Sequence, residues 1–338
     1  MNYSIIIPVY NCKSYLSACV ESIRAAEVCH YEILLVDDGS TDGSGVVCDE
    51  LAGKYHQVRA VHQPNGGASA ARNRGIREAK GEKVIFFDAD DTIDSAALGE
   101  ILADPRCAEA DLTIFGLTFD YYYNGRCYRR DPLFYEEEGI LEKADWCREF
   151  TRLYEKNSLS PVWNKVFCRE ILLAHGLELN TGMFLYEDLE FVLRYMARCN
   201  TIFNVPRAVY HYRQSEDEGN AGRRLARIDC LSEFIKPIVD AVNGLTGVPA
   251  EQKETVLVGL YQVLLRAKIS GAAMGQIRKT CADYAAWYQS GGYTAGDNGF
   301  HRDLLDGKAL KLALQDKKTV LRHKAAVWAK AHNLYKRK

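Results

Sequence analysis

Four acidic side chains, Asp88, Asp90, Asp91 and Asp94, follow directly on the oily run 84–87. Gathering carboxylates behind a buried strand is costly, because burial and mutual repulsion both disfavour the charged form. A cation among them removes that cost. The hard ions Mg²⁺ and Mn²⁺ suit carboxylate oxygens and keep open positions for the oxygens of a phosphate. A second acidic pair, Asp37 and Asp38, ends the apolar run 33–36. A third, Glu187 and Asp188, opens a stretch with helical periodicity, where acids also stabilise the positive end of the helix dipole. Asp94 has a simpler reading: it precedes "SAALGEIL" and is expected to cap that helix.

These acids need a scaffold that brings them together. Short β-branched runs at 3–10, 31–38, 58–63 and 82–90 read as strands covered on both faces. Helical patterns at 13–28, 40–55 and 67–81 alternate with them. Strand–helix alternation argues for a parallel, doubly wound α/β sheet, which binds its ligands outside the carboxyl ends of the strands. The acids at 37–38 and 88–91 both lie at such ends, so they are expected to converge on one cleft. After residue 110 the pattern becomes mixed. Residues 111–130 read as a hairpin turning at Asn124-Gly125. Helices are expected near 142–155, 164–175 and 186–199, then a strand over 202–213, then helical periodicity broken by glycines near 244–247 and 291–299. The expected plan is a catalytic domain over 1–215 and a helical region over 216–338.

Composition narrows the class. Of 338 residues, 47% are hydrophobic and 26% charged, as in an ordinary globular protein. No window approaches eighteen consecutive apolar residues, and the start "MNYSIIIPVYN" lacks a basic segment, so neither a membrane span nor a signal peptide is expected. Eleven scattered cysteines without a CxxC pair read as reduced thiols in a cytoplasmic setting.

The motifs "SIIIPVYN", "EILLVDDGSTD", "NGGASAARNRGIREAKGEKVIFFDADD", "VWNKVF" and "YEDLEF", in this order and spacing, resemble the inverting glycosyltransferases of family 2, which have the GT-A fold. The resemblance is dense over residues 3–95 and thinner to about 213. It implies a nucleotide-sugar-binding half over 1–110 and an acceptor half over 111–215. In such an enzyme Tyr10 would stack on the nucleobase, with Pro8 and Val9 lining its pocket. Asp38 would accept the base's imide N–H, with Asp37 beside it, and Arg72 would reach base or diphosphate. Asp88 would hold the ribose, while Asp90, supported by Asp91 and with His211 as a further ligand, would hold Mn²⁺ or Mg²⁺. Asp188 would be the base that takes the acceptor's proton, with Glu187 next to it. Trp163, Asn164 and Lys165 would shape the cleft floor, Lys165 as a phosphate partner.

The implied donor is a nucleoside diphosphate sugar, a UDP-sugar in the first instance. The implied acceptor is a hydroxyl of a bacterial polysaccharide or lipid-linked glycan. The segment "QSEDEGNAGRR" at 214–224 departs from the family's lid loop. Over 308–338 there are ten Lys or Arg and one Asp, and an apolar stripe from Leu310 onward suits either an anionic membrane surface, on the inner face of the cell membrane, or packing on the helical region. No nucleic-acid module accompanies that charge. A sugar nucleotidyltransferase would want a Gly-rich phosphate loop after the first strand, which "PVYNCKSYL" is not; a catalytically silent glycan-binding scaffold would lack the acids, which are present. The oligomeric state stays open, with the helical region a candidate interface.

Overall fold

The computed structural model describes residues 2–294 except 27, 29, 124–125, 157, 216–227 and 270–273. The basic stripe at 310–338 and most of the 214–224 loop lie outside the described residues.

The alternating pattern at the start of the chain folds as β1 (Tyr3–Val9), α1 (Lys13–Arg24), β2 (Tyr31–Asp37), α2 (Ser44–Lys54), β3 (Val58–His62), α3 (Ala68–Glu78) and β4 (Lys83–Phe86). The two-residue β5 (Thr92–Ile93), α4 (Ser95–Ala103) and α5 (Pro105–Glu109) follow, with Asp94 capping α4 by accepting the Ala97 N–H at 2.9 Å. Next come β6 (Leu112–Tyr123), β7 (Arg126–Leu133), β8 (Gly139–Glu142), α6 (Lys143–Arg148) and α7 (Phe150–Glu155). Then β9 (Lys165–Cys168), α8 (Arg169–Ala174), α9 (Glu187–Met196) and β10 (Thr201–Ser215) complete the sheet. Its order is β3-β2-β1-β4-β9-β6-β10-β5, with β7 on β6 and β8 on β10. The strands β1 to β4 are parallel, whereas β9 runs antiparallel to both β4 and β6. The fold is the mixed α/β sheet that the sequence pattern predicts.

Successive residues of a strand point to opposite faces, and β1 uses both. Ile5, Ile7 and Val9 pack with Leu16, Val20 and Ile23 of α1 in one core. Ile6 points the other way, under α3. The close approach of α3 depends on Gly75, where a Cβ would lie 2.2 Å from Ile6 Cγ2. Gly75→Ala is therefore expected to cost about 1–3 kcal/mol through overpacking. A lowered melting temperature in a thermal scan checks it.

Register aligns the strand ends. Val9 pairs with Asp37, and the Phe87 N–H donates to Ile6 O at 3.0 Å. Residues 8–10, 37–38 and 87–91 thus share one edge.

One expectation needs correction. Residues 165–168 form a strand, not the first turn of a helix over 164–175, because the gap between β4 and β6 supplies main-chain partners on both sides. The hairpin is present as paired β6 and β7, though its turn at 124–125 lies outside the described residues.

The chain divides into two compact units: residues 1–120, 129–213 and 244–247 in one, and 121–128, 214–243 and 248 onward in the other. In the second, helices Leu231–Asn243, Ala250–Ile269 and Met274–Ser290 are tied by Asp283. Its carboxylate accepts the Leu231 and Ser232 N–H groups, capping the first helix, and the Tyr261 O–H at 2.7 Å from the second. Among the described residues no helix is long and apolar enough to cross a membrane.

Candidate active site

Arg72 stands at the centre of the cleft edge. It projects from α3, is 5% exposed, and bridges two acids that are 100 residues apart in sequence. Its Nη2 donates to Asp88 Oδ1 at 2.7 Å and its Nη1 to Asp188 Oδ1 at 3.3 Å. Burial works against the guanidinium's charge, but the carboxylates of Asp188 and Asp88 outweigh it and hold it protonated.

Asp188 sits in the first turn of α9. The chain enters that helix through Tyr186 in a left-handed conformation, φ 60°, which is uncommon for a bulky residue. Burial pushes the Asp188 carboxyl up to about 6. Arg72 pulls it back, Glu187 and Asp88 push it further, and a main-chain hydrogen bond from Val162 holds it. A carboxyl tuned there is mostly ionised at neutral pH and still basic enough to take a proton. Glu187 beside it is half-buried.

The turn after β4 is braced by Tyr210 of β10. The Asp88 N–H donates to the Tyr210 hydroxyl oxygen at 3.1 Å, and the Tyr210 O–H donates to Asp91 Oδ2 at 2.6 Å. The other oxygen of Asp91 accepts the Arg213 N–H at 2.8 Å. Burial, then the charges of Asp88 and Asp90, push the Asp91 carboxyl up to about 8. Asp91 therefore holds the turn with both oxygens. Asp90 is exposed, yet desolvation by the surrounding walls and the charge of Asp88 raise its carboxyl above the ordinary range. That crowding is the condition a divalent cation relieves.

His211 does not join this set. Tyr210 reaches Asp88 and Asp91, so the next residue on the strand turns to the opposite face, where His211 Nδ1 lies 3.2 Å from Asp120 Oδ2. Among the described residues no three His, Cys, Asp or Glu side chains are grouped to hold a metal.

The β1 and β2 ends carry the other expected residues. Tyr10 is 52% exposed, an aromatic ring standing open beside the acids, and Pro8 is half-buried. Val9 is a correction: it is fully buried in the core with Ile5 and Ile7, so it lines no pocket. Asp37 Oδ1 accepts the Ser40 N–H at 3.1 Å and Oδ2 lies 2.9 Å from His62 Nδ1. Burial raises the Asp37 carboxyl, but these hydrogen bonds from Ser40 and His62 prevail and hold it low. Asp38 accepts Gln63 Nε2 at 2.7 Å, the Gly66 N–H at 2.9 Å and the Gly67 N–H at 2.7 Å. It thereby fixes the turn into α3 with three of the roughly four acceptor positions of a carboxylate.

The "VWNK" stretch is the largest revision. Trp163 is 7% exposed and stacks on Tyr210 at 4.1 Å and on Tyr212 at 5.4 Å, behind the acidic turn. Asn164 is buried and donates to Phe115 O at 2.9 Å. Lys165 is fully buried, its amine on Pro161 O and Asn164 Oδ1, and no phosphate reaches it there. Tyr210 is the group at this turn that sequence reasoning missed; "VYHYR" drew attention to its histidine instead of its tyrosine. A cavity of about 390 Å³ lined by Glu100, Asp104, Arg106, Phe203 and Arg207 contains none of the site residues.

Residues 4–164 match the model of the family described as glycosyl transferase family 2. The uncharacterized glycosyltransferase EpsJ of Bacillus subtilis is 28% identical over 214 residues, 63% of this chain and 61% of that protein. The chain spans about three-fifths of the length of the curated relatives it first matches. Among solved structures, residues 1–349 of S. aureus TarS in complex with UDP-GlcNAc align over 92% of both chains, with 17% identity and a TM-score of 0.62. The mannosyltransferase PcManGT of Pyrobaculum calidifontis, in complex with GDP-Man and Mn²⁺, aligns over 100% of this chain and 88% of its own, with 17% identity and a TM-score of 0.51. At that identity the likeness is one of fold.

Proposed function

We propose that this chain, whose residues 4–164 match the glycosyl transferase family 2 model, is an inverting transferase that moves a sugar from a UDP-sugar to a hydroxyl of a glycan or lipid-linked glycan. The observation that carries the reading is the Asp88–Arg72–Asp188 bridge, which sets a donor-side acid and a base around one buried cation.

The roles are those that the family resemblance implies, and the placement of the side chains supports them. Tyr10 stacks on the base, the remaining acceptor position of Asp38 takes the imide N–H, Asp37 keeps the surrounding loop in place, and Asp88 takes the ribose. Asp90 would hold Mg²⁺ or Mn²⁺, an ion that stabilises the charge on a departing diphosphate when bound. The acceptor oxygen attacks the anomeric carbon as the carbon–oxygen bond to the diphosphate breaks on the opposite face. Asp188 takes the hydroxyl proton, and the single displacement from the opposite face gives the inverted anomeric configuration. Arg72 keeps Asp188 ionised and Asp88 oriented. The basic residues 310–338, outside the described part, suit work at an anionic membrane face on the cytoplasmic side.

The experiment is release of nucleoside diphosphate from a panel of UDP- and GDP-sugars, with the product anomer read by NMR. Release from a UDP-sugar with inversion supports the reading. Retention overturns the single displacement, and no release from any donor overturns the function in favour of a silent scaffold. Tyr10→Ala is expected to weaken UDP binding about 2- to 12-fold, the worth of one aromatic stack, in a calorimetric titration.

A further inference from the structure

One histidine at the nucleotide edge has no part in the roles above. His62 ends β3 with its ring half-exposed, and both of its nitrogens meet carboxylates. Nδ1 lies 2.9 Å from Asp37 Oδ2, at the end of β2, and Nε2 lies 3.0 Å from Asp49 Oδ1, on α2. An ionised carboxylate accepts and does not donate, so the proton between the ring and Asp37 sits on Nδ1. The first turn of α2 packs close to the pair: a Cβ on Gly45 would lie 2.8 Å from Asp37 Oδ2 and 3.6 Å from His62 Cε1.

From Asp37 a chain of hydrogen bonds runs towards the residues assigned to the nucleobase. Asp37 Oδ1 accepts the Ser40 N–H at 3.1 Å, Ser40 Oγ accepts the Asn11 N–H at 3.2 Å, and Asn11 Oδ1 accepts the Thr41 N–H at 2.8 Å. Asn11 directly follows Tyr10 and takes a left-handed conformation, φ 52°, which asparagine adopts more readily than most residues. A second branch starts at the neighbour of His62. The Gln63 N–H donates to Asp37 O at 2.9 Å, and Gln63 Nε2 donates to Asp38 Oδ1 at 2.7 Å. Three hydrogen bonds thus separate His62 from the residue behind Tyr10, and the residue after His62 touches Asp38 itself.

We propose that His62 is a positioning residue for donor binding: anchored on Asp49, its ring holds Asp37, and Asp37 sets the Ser40–Asn11 link behind Tyr10 and the edge that carries Asp38. The proposal rests on Tyr10 and Asp38 meeting the nucleobase. The links run to the base side of the cleft and not to Arg72 or Asp188. A residue with this task changes how tightly the nucleotide binds and leaves the transfer step alone.

Two variants test it, His62→Ala and His62→Asn, in calorimetric titrations with UDP and with GDP and in steady-state release of nucleoside diphosphate from the donor panel. His62→Ala is expected to raise the Kd for the preferred nucleotide and the KM for donor about 3- to 10-fold, within the worth of the Tyr10 stack it supports, with kcat inside about twofold. The asparagine amide can place an N–H where Nδ1 stood, so His62→Asn restores the donor to Asp37 and is expected to recover to within about twofold of wild type. In a Tyr10→Ala background the alanine change should cost less than in wild type, because the two act through one contact. A folded His62→Ala with wild-type affinity overturns the proposal, as does a fall in kcat at unchanged KM, a His62→Asn protein no better than His62→Ala, or equal losses in the two backgrounds. If His62→Ala fails to fold by circular dichroism, His62→Asn decides alone, a recovered affinity supporting the proposal and a larger loss overturning it. A wild type that binds neither nucleotide overturns the reading of the base site and this proposal with it, whereas a wild type that binds UDP and is matched by His62→Ala overturns this proposal only.

Discussion

Asp188→Asn lowers kcat for sugar transfer by about 10²- to 10⁴-fold, the usual contribution of a general base, while the affinity for UDP stays within about threefold. The substitution keeps the volume and one oxygen for Arg72 Nη1 and the Val162 N–H, so the fold around α9 persists. What is lost is the capacity to take the acceptor's proton. In the wild type the carboxyl near 6 leaves about nine in ten molecules ionised at neutral pH, and the rate falls about tenfold per unit of pH below that point. The variant has no such limb. Steady-state release of nucleoside diphosphate against pH reads both effects, and near-normal turnover in Asp188→Asn would remove that residue from the role.

Arg72→Met is expected to slow turnover at neutral pH by about 2- to 10²-fold, for a different reason. Without the guanidinium, Asp188 faces Glu187 and Asp88 with no compensating charge. Its carboxyl then rises by about 1–3 units, so the base is between half and almost wholly protonated at neutral pH, where the wild type is mostly ionised. The distinguishing sign is the pH profile: Arg72→Met regains rate on the alkaline side, whereas Asp188→Asn stays low throughout. Lysine does not substitute, since one ammonium cannot reproduce a fork that reaches two carboxylates. Stability follows the same linkage. A folded carboxyl at about 6 against an ordinary 3.8 costs stability as pH rises between those values, and acid relieves it. In Arg72→Met that window extends upward, so the melting-temperature deficit of the variant narrows as pH falls.

The fold was largely legible because each strand of the first half is a short β-branched run followed by an amphipathic helix, and that local alternation admits few topologies. The acids were legible because they end those runs. Asp94 as a cap needed only its three following residues. Less visible was anything decided by pairing across the sheet. Residues 165–168 look helical in isolation and become a strand only because β4 and β6 flank them. The misread side chains have a common cause. Val9 is in phase with Ile5 and Ile7, and His211 is out of phase with Tyr210, so strand alternation already held both corrections. Lys165 carried a signal too, a lysine in the mostly apolar stretch "VWNKVF", but phosphate binding and burial on the Pro161 carbonyl and the Asn164 amide share that signature in sequence. The Arg72–Asp188 contact joins residues 116 apart, and the His62–Asp37 contact depends on neighbouring strand ends; neither has a local trace.

The most direct measurement is a calorimetric titration of the full chain with UDP and with GDP, each with and without Mn²⁺. The account predicts that UDP binds in preference to GDP and that Mn²⁺ strengthens the binding, because in the proposed reading Asp38 would meet the base and Asp90 would hold a cation together with the diphosphate. Binding of neither nucleotide, with the metal present or absent, would contradict it.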